Sequence, residues 1–130
     1  MLPNRLGVRR AAPPRPATRV AFFDAAVGAA VERVSRQCPE ALVGITVGVE
    51  DVPNFDPSWA RGRVPLASAV EASAVRPAQV VLYRRPLEHR AASRQGLRIL
   101  VYRTVVEQLS ALTGRSAEEI DPDGAGFDDD

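Results

Sequence analysis

The stretch VYRTVVEQLSALTG, Val101 to Gly114, decides the fold. Val101, Val105, Leu109 and Leu112 recur at steps of three and four, which places them on one side of a helix. Gly114 follows the last of them, where a helix ends most readily in a left-handed residue. Carried back to Ser93, the pattern predicts a long helix over residues 93–113. At about 100° per residue, Leu100, Thr104 and Ala111 fall within about 60° of Glu107, and Arg103 lies about 40° to its other side. This second face carries Arg103, Thr104 and Glu107. Arg103 and Glu107 stand at the i,i+4 spacing of a helical ion pair.

Composition sets the frame around that helix. The chain has 130 residues, 45% hydrophobic and 25% charged, the balance of one soluble globular domain with a modest core. No apolar run approaches the roughly 20 residues that cross a membrane. The N-terminal MLPNRLGVRRAAPPRPATR contains no apolar segment of the kind that directs secretion. The single cysteine, Cys38, cannot form an internal disulfide, which fits a reducing cytoplasm. A cytoplasmic location is the expectation.

The net charge of +1 conceals an asymmetry. Residues 1–20 hold Arg5, Arg9, Arg10, Arg15 and Arg19 and no acid. Residues 116–130 hold Glu118, Glu119, Asp121, Asp123, Asp128, Asp129 and Asp130 and no base. The basic arm has no interleaved aromatic residues, so nucleic acid is not the expected partner.

Along the chain, residues 1–18 read as a flexible Arg/Pro-rich arm, 19–122 as a single domain and 123–130 as a disordered acidic tail. A first helix is expected from Arg19 to about Arg36. Val43, Ile45, Val47 and Val49 then alternate with polar or small residues, the period of a half-buried strand. Residues 54–76 are broken by Pro57, Gly62 and Pro65, and Leu66 to Ala74 fits a short helix or an irregular strand. Gln79 to Tyr83 reads as a second strand, which Pro86 assigns to a sheet edge or strand end. RRPLEHRAAS reads as a loop. Ser116 and Glu119 form the pattern of a capping box for a short last helix. The fold class is α+β.

Familiar catalytic constellations are missing. His89 is the only histidine, too few for sites built on two or three imidazoles. No phosphate-binding loop exists, since the chain has no lysine, and no serine sits in a nucleophile elbow.

FDAAVGAAVERV, ITVGVEDVP, VVLYRRPLEHR and VYRTVVEQLSALTG, in this order, resemble the small zincin-like metallopeptidase family found widely in bacteria, especially its short actinobacterial members. The resemblance runs from Phe22 to Pro122. It includes the turn Val49-Glu50-Asp51-x-Pro53 and the string from Val81 to Leu87. It implies a minimal zincin-like fold: an N-terminal helix, a small mixed sheet with an edge strand, a long active-site helix and a short C-terminal helix.

In that family the long helix carries H-E-x-x-H, with an acidic third ligand about three residues past the glycine. Two imidazoles at i and i+4 hold Zn²⁺, and the glutamate deprotonates the bound water. Aligned through Thr104-Val105-Val106 and Gly114, the histidines fall on Glu107 and Ala111, the glutamate on Gln108 and the acid on Ala117. Gln108 cannot act as a base, and Ala111 has no donor atom. The resemblance therefore implies no catalytic residue and no cofactor here: zinc is the family's metal, and its ligands are absent. It points to an inactive binding protein for an extended peptide or protein segment.

The residues expected to meet that segment are Val81, Tyr83, Arg84 and Arg85 on an edge strand, with Arg103, Thr104 and Glu107 facing the cleft. The alternative is a divergent metal-dependent peptidase that draws its ligands from His89, Glu50, Asp51 and Glu107.

Overall fold

The computed structural model describes residues 16–53 and 64–124. Helix α1 (Pro16–Gln37) leads through a 3-10 turn (Pro39–Leu42) into β1 (Ile45–Glu50). Then come β2 (Ala67–Val70), β3 (Ala78–Tyr83), α2 (Arg84–Arg90), α3 (Arg94–Thr113) and α4 (Ala117–Ile120). The architecture is the α+β arrangement of a minimal zincin-like fold.

Phe23, Ala26, Val27, Ala30 and Val34 share one face of α1 and are all buried, which gives that helix its reason to form. It begins at Pro16, three residues earlier than expected. Proline suits a first turn, where its missing N–H costs no hydrogen bond. Residues 1–15 of the expected arm and 125–130 of the expected acidic tail lie outside the described residues. Strand β1 starts only at Ile45, because Gly44 adopts φ 73, a left-handed turn open to glycine. Val43, expected to point inward, stands 78% exposed ahead of that turn. Ile45 and Val47 pack on the core, and Val49 is exposed at the strand's end.

The sheet order is β1-β3-β2. β1 runs parallel to β3, from Ile45 opposite Ala78 to Glu50 opposite Tyr83. β2 runs antiparallel on the other side, from Ala67 opposite Leu82 to Val70 opposite Gln79. This overturns the edge assignment of Gln79 to Tyr83, which is the central strand. Pro86 misled that reading, because it lies past the strand, in the first turn of α2. Its missing N–H removes no helical bond there. The loop expected at RRPLEHR is that helix, fastened to the core by the fully buried Leu87. The sheet's edges are β1 and β2, and β2 lies within the ambiguous segment Leu66–Ala74. Four small or medium residues are too few to display a period.

Helix α3 is capped as the sequence predicts. Ser93 Oγ accepts from the Gly96 N–H at 2.9 Å, and Gly114, at φ 78, donates its N–H to the Ser110 carbonyl. Its buried arc is wider than the expected stripe and takes in Leu97, Tyr102, Thr104 and Val106. The helix lies between α1 on one side and the sheet on the other, so both flanks are covered. For α4, Ser116 Oγ accepts from the Glu119 N–H, and the Glu119 carboxylate takes Arg115 at 2.7 Å.

Tyr102 ties three helices together. Its hydroxyl donates to Asp121 Oδ1 at 2.7 Å and accepts from Gln37 Nε2 at 2.9 Å, and Gln37 also donates to the Ile120 carbonyl. Burial, with the bond to Asp121, pushes the Tyr102 hydroxyl up to about 12. The folded state favours the neutral phenol. Its contribution to stability is therefore intact below about pH 10, the unfolded value, and is lost as pH rises through about 12. In a Tyr83→Phe background, phenolate absorbance should titrate well above pH 10 in the native protein and return to about 10 in urea. An ordinary native titration would remove this account of the network.

At the other end of the sheet stands Arg84, its side chain 8% exposed. Its Nε donates to Asp51 Oδ1 at 3.2 Å, and its Nη1 reaches both Glu88 oxygens at 3.0 and 3.1 Å. The next backbone N–H, that of Arg85, donates to the Asp51 carbonyl at 3.0 Å. Burial alone would lower the pKa of this guanidinium; its bonds to Glu88 and Asp51 outweigh that and raise it. Removing the buried partner strands a half-buried Glu88, so Arg84→Ala should cost about 3 kcal/mol in urea unfolding. Asp51 is 62% exposed, and Asp51→Asn should cost less than about 1 kcal/mol. Equal losses would show that Arg84 does not hold this end of the sheet.

Candidate functional site

The outward face of α3 is where the sequence places a site. Glu107 and Ala111 are exposed, Gln108 and Ala117 half-buried. Thr104, expected to face a cleft, is buried, and its hydroxyl donates to the Leu100 carbonyl at 2.7 Å. Arg103 is half-buried and lines a cleft of about 350 Å³ with Leu100, Ile99 and Arg90.

Arg90 also borders a second cleft, of about 490 Å³, where the strands give way to α2. Its apolar lining comes from Val52, Val64, Leu66 and Pro86, and its polar lining from Arg85, His89 and Arg90. These residues were missed as a group because they come from three separate segments, and His89 was placed in a loop. The one available signal was the pair Val52 and Val64 flanking the broken stretch, and both are exposed.

The proposed peptide-binding residues divide. Val81 and Tyr83 are buried on the central strand. They alternate with Val80 and Leu82, which belong to the core, so they occupy the opposite face of the sheet. The Tyr83 hydroxyl lies 3.0 Å from Ser68 Oγ. Arg84 is committed to Asp51 and Glu88 and is no surface for a partner. Arg85 borders the cleft where the strands give way to α2.

The metal alternative is not assembled. Among the described residues, no three His, Cys, Asp or Glu side chains converge as one ion requires. Asp51 pairs with Arg84, Glu50 ends β1, His89 lies on α2 and Glu107 on the exposed side of α3. Cys38 is buried, and burial pushes its thiol up, away from the thiolate that a nucleophile needs. No helix among the described residues is long and apolar enough to cross a membrane.

Fold and site together define a small α+β domain in which a long capped helix lies beneath a mixed sheet. The model of the zincin-like metallopeptidase family matches residues 42–126, and the chain belongs to that family. No curated protein matches it. The match begins after α1, in the 3-10 turn, and takes in both strings that meet at Arg84.

The family's zinc finds no fit in these residues. Glu107 is a lone oxygen donor, Gln108 is an amide, and Ala111 and Ala117 carry no donor at all. The backbone is nevertheless suitable, because positions 107 and 111 are exposed and lie one turn apart on a single helix. Glu107→His with Ala111→His should create a two-imidazole site at little cost in stability. Thermal unfolding with and without Zn²⁺ measures it: at a hundredfold excess over Kd, zinc should stabilise the double variant by about 2.7 kcal/mol and the parent not at all. No zinc response in the variant would mean that this face is not disposed as a metal-binding face.

Proposed function

We propose that this chain is a zincin-like domain without peptidase activity that binds an extended polypeptide segment. The observation that supports it is the α3 face. Aligned with the family's motif, Glu107, Gln108, Ala111 and Ala117 fall on the ligands and base, and residues of these types supply neither a cation site nor a proton acceptor in place of the glutamate.

The binding surface moves from the expected strand to β2. The Tyr83 N–H donates to the Leu66 carbonyl, which makes 66/83 a hydrogen-bonded antiparallel pair. Bonded and non-bonded pairs alternate, so Ala67 and Ala69 turn their N–H and C=O groups outward from the sheet. An extended segment that pairs with this edge gains main-chain bonds without disturbing β3.

Elemental analysis of the purified protein, with a peptide hydrolysis assay in added Zn²⁺, tests the loss of catalysis. The expected result is neither stoichiometric metal nor turnover. Stoichiometric zinc abolished by Glu107→Ala would falsify the reading. The edge is tested by Ala69→Pro, which deletes an outward N–H, a change that an edge strand tolerates. On an array of extended peptides, the variant should bind roughly tenfold more weakly than the parent. Undiminished binding would rule out pairing at β2.

A further inference from the structure

The cleft beyond the sheet combines two properties that a solvated surface does not need together. Its apolar lining, Val52, Val64, Leu66 and Pro86, includes two of the exposed large hydrophobic residues, Val52 at 51% and Val64 at 45%. Against it stand Arg85, Arg90 and His89. Among the described residues, none of these three pairs with a carboxylate. The contrast with Arg84 is instructive. One position along the chain, that guanidinium takes Asp51 and both oxygens of Glu88. At about 490 Å³ the cleft has the size of a small-ligand pocket.

We propose that this cleft binds the carboxylate of an apolar acid, presented as the free C-terminal residue of the extended segment. The apolar side chain would lie on Val52, Val64, Leu66 and Pro86, and the carboxylate would meet Arg85 and Arg90, whose planar guanidinium groups suit two-point recognition. Chain direction agrees. β2 begins one residue after Leu66, which lines the cleft. A segment antiparallel to β2 therefore sends its C-terminal end toward the beginning of that strand, and so toward the cleft. Arg90 also borders the neighbouring cleft on α3, so the positive lining continues toward the helix face where relatives would hold a metal.

The inference rests on the peptide-binding reading, and its test separates the two. Peptides ending in Leu, Val or Phe, each as free acid and as C-terminal amide, are titrated with the full chain, alongside N-acetyl-leucine. The expected result is that free acids bind roughly tenfold more tightly than amides. That preference should vanish in Arg85→Ala with Arg90→Ala and persist in Arg36→Ala, which removes an exposed arginine on α1. Arg85 and Arg90 are exposed side chains, and circular dichroism checks that the double variant is folded. Equal binding of acids and amides overturns the carboxylate site and leaves peptide binding standing. Binding of N-acetyl-leucine alone, lost in the double variant, upholds the site and overturns the peptide reading. A preference for free acids that survives the double variant, or no binding by any probe, overturns the site.

Discussion

The guanidinium of Arg84 is the group on which the two halves of the sheet depend. It is buried at the point where β3 becomes α2, and it reaches across 33 residues of chain to Asp51 at the end of β1. A buried cation without partners would be costly enough to unfold a domain of this size. Asp51 and Glu88 make its burial tolerable, and the bond to Asp51 ties the end of β1 to the start of α2 beside the pair Glu50–Tyr83. α2 must then start at once, because Glu88 has to arrive one turn after Arg84. The helix in turn delivers Arg85, His89 and Arg90 to the cleft.

Much of this was legible in the sequence, for local reasons. The extent of α3 follows from a period of 3.6, a serine cap and a left-handed glycine, all signals held within one segment. The same is true of α1 and of the Ser116 cap. Strand order was not legible. Pro86 and the short run Gln79 to Tyr83 suggested an edge, whereas centrality is decided by β2, a segment of Ala, Ser, Ala and Val with no pattern of its own. Helix α2 was hidden for the opposite reason: a proline and three arginines read as a loop until one sees that Leu87 fills the core.

The site shows the same division. Positions 107, 108, 111 and 117 were reached by resemblance to a family to which the chain belongs, and of these 107 and 111 are exposed on α3. The arginine-lined cleft depended on three segments meeting, which no spacing rule reveals. Tyr83 and Arg84 looked like surface chemistry from their residue types. They proved to be packing on the far side of the sheet and the internal lock on β1.

The length of β2 has a consequence of its own. Four residues in an antiparallel pair leave two, Ala67 and Ala69, with outward main-chain groups. At a net 0.5–1.5 kcal/mol for each of about four bonds, most of the gain disappears into ordering the partner's backbone. A segment paired with such an edge would take its direction and alignment from it and its strength from side-chain pockets, and would exchange quickly. The same shortness gives neighbouring copies of the protein little on which to stack, which protects an open sheet at high concentration from growing into fibres.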